Sequence, residues 1–241
     1  MDFAFLAEVT QRLLAGVPLM LQLAALSIAL GAALAICLAL MRVSGIAPLD
    51  WFARAYVFVF RGTPLLVQIF LIYYGLSQFP EIRGGFLWPF LREPYWCAIL
   101  ALTLNTAAYG AEILRGGLQS VPFGQIEAAR ACGMSGLLLF RRVIWPIALR
   151  QALPSYGNEI ILMTRATALA SIITLMEVTG IAQKIISETF RAIEVFICAG
   201  AIYLLLNFII SRAVAGLEHY LSPHLRQPGR AGAPVPEPAR P

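Results

Sequence analysis

Few residues of this chain could carry chemistry, and three of them are charges in apolar surroundings. Glu112, Glu159 and Arg165 lie within, or at the ends of, long apolar segments. A charge inside a bilayer costs several kcal/mol unless it is paired or faces water. The two carboxylates could bind a cationic substrate; alternatively, Glu159 pairs with Arg165, or each carboxylate lies in water at the cytoplasmic interface. Their positions near predicted span ends favour the structural alternative.

Two asparagines complete the set of candidate residues for a substrate pathway. Asn105 and Asn158 occur in or beside apolar segments. Each amide could hydrogen-bond to a neighbouring helix or to a substrate, and the sequence favours neither. The candidate pathway residues are therefore Asn105, Glu112, Asn158 and Glu159.

No sequence motif of this chain could bind ATP or a metal ion. The single lysine, Lys184, lies in the sequence IAQKIIS, whereas a P-loop needs its lysine after a glycine-rich turn, where it reaches the phosphates. His219 and His224 are five residues apart, and no carboxylate or cysteine completes a metal-ligand spacing. We expect no cofactor or metal on this chain, and ATP, if it drives the protein, must bind another polypeptide.

The central stretch from Glu127 to Pro146, EAARACGMSGLLLFRRVIWP, separates two hydrophobic segments. It has the composition of a helix, it is rich in small residues, and it contains the basic pair Arg141 and Arg142. A simple connection between spans needs only a few polar residues. The stretch therefore suggests a docking surface for a soluble partner, although Glu-Ala-Ala alone would favour an ordinary helix on the membrane surface.

The overall composition indicates a membrane protein. Of the 241 residues, 59% are hydrophobic and 13% are charged, with a mean hydropathy of +0.76. Soluble domains carry about 25% charged residues. The net charge of +5 comes from residues scattered between apolar blocks, without the basic stripe of a nucleic-acid-binding surface. We expect a lipid membrane as a partner and no nucleic acid.

Apolar stretches predict an all-α transmembrane protein with about five spans. A run of about 20 residues crosses a hydrocarbon core of about 30 Å at a rise of about 1.5 Å per residue. Residues 51–60 are too short to cross alone, so they lie along the surface or begin the second span. Thr63 is predicted to cap that span, with Pro64 as its first helical residue. The predicted spans are 17–40, 65–79, 95–113, 160–181 and 195–211.

The chain divides into three parts. Residues 1–16 form an amphipathic segment that is either an interfacial helix or a helix packed in the core. Residues 17–218 form the transmembrane domain. Residues 219–241 form a proline-rich tail, which we expect to be disordered because it cannot bury a core.

Basic residues predict the orientation. Five spans place the termini on opposite sides, and cytoplasmic segments are enriched in Lys and Arg. One side would carry Arg12, Arg83, Arg92, Lys184 and Arg191. The other side would carry Arg42, Arg54, Arg61, Arg115, Arg130, Arg141, Arg142, Arg150, Arg212, Arg226, Arg230 and Arg240. We therefore predict a cytoplasmic C-terminus and central stretch, with the N-terminus outside.

The central stretch resembles the EAA loop of permease subunits of ABC importers. In that loop Glu-Ala-Ala is followed by three residues, Gly, nine residues, an aliphatic position and a terminal Pro. The family usually has Ile where Val143 stands and Leu where Trp145 stands, but both residues here are hydrophobic. The matching residues are Glu127, Ala128, Ala129, Gly133, Val143 and Pro146.

Further stretches resemble the polar amino acid subfamily, most of all its subunits that import histidine, arginine, ornithine or opines such as octopine. The resemblance covers about residues 17–218. The stretches are FRGTPLLVQ (60–68), ALTLNTAAYGAEILRGG (101–117), SVPFGQIEAAR (120–130), ALPSYGNEIILM (152–163) and ATALAS (166–171).

The resemblance implies a type I permease in the inner membrane, with several partners. It implies a second permease subunit, identical or homologous, a dimer of ATP-binding cassette ATPases, and an external binding protein that delivers polar, mainly basic, amino acids or opines. The helix at Glu127 would sit in a groove of the ATPase. Ala128 and Ala129 would allow close approach, and Gly133 would permit the bend to the next helix.

Two other classes of function remain open at this point. An ATP-independent carrier or channel could use Glu112, Glu159 and Arg165 as a relay. A membrane scaffold without transport is the third possibility, because no residue by itself proves a pathway.

Overall fold

A computed structural model describes residues 3–221, and within this range the chain is helical with no strand. The elements are α1 (Phe3–Leu14), α2 (Val17–Val43), α3 (Ala47–Gly62), α4 (Leu65–Phe70), α5 (Pro80–Arg83), α6 (Trp88–Leu91), α7 (Pro94–Gln119), α8 (Phe123–Ala131), α9 (Gly136–Leu139), α10 (Trp145–Ala166), α11 (Val178–Thr189) and α12 (Ala192–Leu221). Leu71–Gly75 and Phe140–Ile144 are π-helical, whereas Leu76–Gln78 and Thr167–Ile173 are 3₁₀-helical. The predicted all-α transmembrane class is confirmed.

Membrane-crossing length is reached by three continuous helical segments of the described range: Phe3–Val43, Pro94–Gln119 and Ala192–Tyr220. Two further pairs of helices qualify as bent spans. Ala47–Gly62 and Leu65–Gln78 meet at 104°, and Gly136–Ile173 and Val178–Thr189 meet at 46°. Five spans result when each bent pair counts as one.

Small residues hold α2, α7 and α10 together. Ala35 and Ala39 of α2, Ala107 of α7 and Ala152 of α10 are buried in one cluster. A Cβ on Gly31 would lie 2.1 Å from Thr106 Cγ2, and a Cβ on Gly117 would lie 2.5 Å from the Ala148 carbonyl oxygen. Membrane helices gain stability mainly by close packing of this kind, because lipid is as apolar as their side chains. α7 is therefore the central helix against which the others are positioned.

The break between α3 and α4 is filled by one buried amide. Gln68 Nε2 donates to the carbonyl oxygen of Phe60 (2.8 Å) and to Oγ1 of Thr63 (2.8 Å), and Gln68 Oε1 accepts from Asn105 Nδ2 (3.0 Å). These bonds satisfy backbone groups that the broken helix leaves open, as a bilayer requires. The segment 47–62 thus begins the second span.

The predicted cap of the second span is wrong. Thr63 and Pro64 are both extended, and α4 begins at Leu65 with Pro64 at the cap position. Thr63 Oγ1 donates back to the Val59 carbonyl oxygen at 2.8 Å. Its hydroxyl therefore satisfies a carbonyl oxygen in the last turn of α3. No side chain caps the start of α4.

The fourth span differs from the predicted range 160–181. Helix continues from Gly136 to Ile173 through both Pro146 and Pro154. Pro146 follows the π-turn Phe140–Ile144, and a wide turn accommodates the proline ring and its missing N–H. The continuous helix breaks before the predicted end at 181, because Thr174 turns left-handed (φ 72°), and the bent span resumes at Val178. Glu177 then caps α11 by accepting from Gly180 N at 2.9 Å.

The N-terminal helix packs in the core. Val9 and Leu13 of α1 are buried with Val178 of α11 and Val195 of α12, and Arg12 Nη2 bonds to Glu188 Oε2 at 3.0 Å. The described part of the predicted segment 1–16, Phe3–Leu14, thus packs against α11 and α12. The predicted tail begins inside α12, which runs to Leu221, and its remainder lies outside the described residues.

Candidate coupling surface and intramembrane polar groups

The helix α8 presents Glu127 on the side that faces away from the protein. Ala129 is 7% exposed and packs toward the other helices, whereas Glu127 and Ala128 are exposed. At about 100° per residue, Glu127 lies about 160° around the helix from Ala129. Glu127 has no ion pair with another residue of the described range. The short helix therefore presents a carboxylate that no residue of the described range neutralises.

Gly133 ends α8 in a Schellman motif. Its φ of 80° is left-handed, a conformation that glycine adopts without strain. Met134 N donates to the Ala129 carbonyl oxygen (3.0 Å), and Gly133 N donates to that of Arg130 (2.9 Å). These are the two bonds that define the motif. The glycine thus redirects the chain from α8 toward α9 while satisfying the last carbonyls of α8.

The residues around α8 are strongly basic. Between positions 113 and 158 Glu127 is the sole acidic residue. Arg130, Arg141, Arg142 and Arg150 are exposed and make no ion pair within residues 3–221. An excess of arginine is typical of cytoplasmic segments of membrane proteins. On this surface the exposed carboxylate of Glu127 is surrounded by positive charges.

Glu112 joins a network of charges at the end of α2. It accepts from Arg42 Nη1 (2.5 Å) and Arg115 Nη2 (2.7 Å). Arg42 also donates through Nε to Asp50 Oδ1 (3.0 Å), and Asp50 pairs with Arg54. The Arg42 side chain is 13% exposed and that of Arg54 is 64% exposed. One arginine therefore ties α2, α3 and α7 together.

Replacing this arginine should destabilise the protein. Arg42→Met removes both bonds while keeping much of the side-chain volume, and each hydrogen bond to a charged group contributes about 1.5–3 kcal/mol. We expect the free energy of unfolding to fall by about 2 kcal/mol, read as a lower midpoint of thermal unfolding by tryptophan fluorescence in detergent. Arg54→Met is the matched control and should cost under about 1 kcal/mol, because its pair is exposed. Equal losses in both variants would contradict this role of Arg42.

Glu159 and Arg165 do not pair with each other. Glu159 is buried and accepts from Thr106 Oγ1 at 2.9 Å, so it lies inside the helix packing and not in water at an interface. Arg165 is exposed and donates through Nε to Asn207 Oδ1 at 3.4 Å. With Glu112 held by Arg42 and Arg115, these three groups have separate partners in the described range and form no relay.

The four predicted pathway residues make no hydrogen bond or ion pair with one another within residues 3–221. Asn105 is buried and bonds to Gln68, whereas Asn158 is exposed on α10. Glu112 lines a cavity of about 460 Å³ together with Arg42, Arg61 and Tyr109.

Sequence reasoning missed a second polar cluster. Tyr203 donates to Glu177 Oε2 at 2.7 Å, and Glu177 is fully buried. Thr179 Oγ1 lies 3.0 Å from the same tyrosine hydroxyl. Acidic residues are enriched at helix N-termini, so Glu177 could have indicated the start of α11. No sequence signal indicates the tyrosine from α12.

Comparison with known proteins places the chain in a family. The family model described as "Binding-protein-dependent transport system inner membrane component" matches residues 27–222. The chain is 64% identical over 225 residues to the octopine transport system permease protein OccM of Rhizobium radiobacter, covering 93% of this chain and 92% of the relative. It is 53% identical to the nopaline transport system permease protein NocM of Agrobacterium fabrum, covering 99% of both chains.

A more distant relative and two solved structures also belong to transport systems. The histidine/lysine/arginine/ornithine transport system permease protein HisM of Escherichia coli K12 is 42% identical over 81% of this chain and 82% of its own. The crystal structure of an amino acid ABC transporter with histidines superposes with a TM-score of 0.81 at 36% identity, covering 91% of this chain and 99% of that one. The MetNI methionine ABC transporter shares the fold, with a TM-score of 0.71 at 20% identity over 88% of this chain and 96% of its own. The chain therefore belongs to the family of inner membrane components of binding-protein-dependent transport systems, and it is a permease subunit of an ABC importer.

Proposed function

We propose that this permease translocates polar amino acids or opines that carry a basic group. The observation that carries the proposal is the 64% identity to an octopine permease over 93% of the chain. The nopaline and histidine/lysine/arginine/ornithine permeases support the same class at 53% and 42% identity. The compounds named for these three relatives share a carboxylate and a basic side chain.

The energy for transport comes from a separate ATPase subunit. The chain has no P-loop, and α8 presents an exposed carboxylate and an exposed alanine beside it. We assign ATPase coupling to Glu127, Ala128, Ala129 and Gly133. Ala128 allows close approach, buried Ala129 fixes α8 to the protein, and Gly133 sets the angle to α9.

The permease works with three kinds of partner. A second permease subunit, identical or homologous, completes the wall of the pathway, an ATPase dimer binds the two α8 helices, and a binding protein delivers substrate from outside. The distribution of arginines supports α8 and the C-terminus in the cytoplasm and the N-terminus outside. ATP binding closes the ATPase dimer, moves the α8 helices together and switches the pathway between inward- and outward-facing states.

Within the predicted pathway set, the geometry supports Asn158 best, because it is exposed on α10 without a hydrogen bond to another described residue. Glu112 lines an open cavity but is paired with Arg42 and Arg115. Asn105 and Glu159 bond to Gln68 and Thr106. A role of these three residues in the pathway would require their present bonds to break.

Uptake by the reconstituted importer tests this function. The permease, its permease partner and the ATPase are placed in proteoliposomes with the binding protein outside and ATP inside. We expect uptake of at least one of labelled octopine, nopaline, arginine and histidine, at a rate at least about 10-fold above that of vesicles without ATP. Glutamate is the control substrate of opposite charge. Uptake of none of the four, or equal uptake without ATP, would contradict the proposal.

A further inference from the structure

A cavity between α10 and α12 contains a charge that the chain leaves unneutralised. The cavity has a volume of about 470 Å³ and is lined by Arg165, Ala168, Gly200, Tyr203, Leu204 and Asn207. Its volume lies in the range of small-molecule sites, which are mostly apolar with a few converging polar groups. Arg165, Tyr203 and Asn207 are the polar groups here, and the small residues Ala168 and Gly200 leave the space.

The guanidinium of Arg165 has no carboxylate partner within the described range. Its one bond is to the neutral amide of Asn207, at a long 3.4 Å, and the nearby carboxylate of Glu177 is fully buried beneath Tyr203. Tyr203 and Asn207 lie 11 and 15 residues into α12, about 17 and 23 Å along a helix of about 45 Å. An arginine at this depth cannot face lipid without a cost of several kcal/mol.

We propose that Arg165 binds the carboxylate of the transported compound in this cavity. The inference rests on the proposed function, because the amino acids and opines of that class all carry a carboxylate. A guanidinium matches a carboxylate with two parallel hydrogen bonds. Asn207 positions the guanidinium by accepting from Nε, which leaves the two terminal nitrogens for the ligand.

An acidic side chain of the second permease subunit is the competing occupant. Two observations favour a small ligand. The surface is concave with the volume of a ligand site, and three polar groups converge in it from two helices. Contact with a partner's carboxylate predicts a different experimental result from contact with a ligand.

Binding of octopine and of its dimethyl ester to the complex of both permease subunits and the ATPase, without the binding protein and its own substrate site, separates these possibilities. The ester keeps the guanidinium but blocks both carboxylates. Titration calorimetry of the wild-type complex should show octopine binding about 10- to 100-fold more tightly than the ester, the loss expected from a hydrogen-bonded charge pair. In Arg165→Gln the two ligands should bind equally, whereas a structural role for Arg165 would weaken both alike. Arg165→Lys keeps the positive charge but cannot form two parallel hydrogen bonds with a carboxylate. It should retain part of the preference for octopine over the ester.

A second pair of variants tests the cavity without touching the charge. A Cβ on Gly200 or on Gly216 meets no atom within 4 Å, so Gly200→Phe fills the cavity and Gly216→Phe places the same ring elsewhere on α12. Gly200→Phe should abolish octopine binding, and Gly216→Phe should keep it.

Three results would overturn the inference. They are a wild-type complex that binds octopine no better than its ester, an Arg165→Gln complex that keeps the preference, and loss of the second permease subunit on size-exclusion chromatography of Arg165→Gln. The last result would assign Arg165 to the partner interface. Failure of the proposed function is separate, because it appears as absence of uptake by the wild-type importer.

Discussion

Glu127→Lys is expected to abolish substrate uptake while leaving the permease folded and assembled with its permease partner. The side chain of Glu127 is exposed on α8, opposite buried Ala129, and has no ion pair in the described part of the chain. Reversing its charge therefore disturbs nothing within the permease. The surface around it already contains four exposed arginines, so the change removes its sole negative charge.

The loss should arise at the contact with the ATPase. A like-charge contact at an interface costs several kcal/mol, and about 1.4 kcal/mol is a factor of ten in affinity. We expect ATP-driven uptake to fall at least about 100-fold. Glu127→Gln keeps the shape without the charge and should lose less, about 10-fold, because it lacks the repulsion.

Two measurements identify uncoupling as the cause. The thermal unfolding midpoint of the Glu127→Lys permease should equal that of the wild type, because an exposed, unpaired side chain contributes little to stability. Co-purification of the ATPase, or stimulation of its hydrolysis by the substrate-loaded binding protein, should decrease. Wild-type uptake by Glu127→Lys would rule out the coupling role of α8.

The first and third spans and the helix α8 were predictable from local pattern, because apolar length and small-residue composition are properties of contiguous sequence. Apolar length located the first span near Val17–Val43 and the third near Pro94–Gln119. The motif around Glu127 placed α8 together with the left-handed turn at Gly133. In each case the signal lies within a few residues of the structure it specifies.

Pairings between distant helices could not be predicted in this way. Glu159 bonds to Thr106, which is 53 positions away, and Arg165 to Asn207, which is 42 positions away. Proximity in sequence suggested a pair between Glu159 and Arg165, but six positions on a helix rotate the two side chains about 120° apart. The fourth span was predicted to begin only at residue 160 for a related reason, since the π-turn before Pro146 that lets the helix continue has no signal in local composition.

Gly117→Leu is expected to destabilise the permease by about 3 kcal/mol, the upper part of the range for side chains forced into a packed core. An added Cβ would lie 2.5 Å from the Ala148 carbonyl oxygen and 3.0 Å from Ala152 Cβ. The first of these atoms belongs to the backbone of α10 and cannot rotate away. The side chain must therefore separate α7 from α10.

The neighbouring glycine provides a matched control. A Cβ on Gly116 meets no atom within 4 Å, so Gly116→Leu adds the same side chain to the same turn of α7 in open space. It should change the thermal unfolding midpoint little or raise it, because leucine favours helix over glycine by up to about 1 kcal/mol. Equal midpoints for the two variants would mean that α7 and α10 are not held at this contact.

The position of Gly117 adds a functional consequence. It lies two residues before the end of α7, and α8 begins four residues after that end. Separating α7 from α10 at Gly117 would weaken the packing of the end of α7 that precedes α8. A force applied at Glu127 would then move α8 without moving α7 and α10. In Gly117→Leu complexes that survive purification, we therefore expect ATP hydrolysis to persist while uptake per ATP hydrolysed falls at least about fivefold, a coupling loss of about 1 kcal/mol. Uptake per ATP equal to that of Gly116→Leu would show that the contact stabilises the fold without transmitting movement.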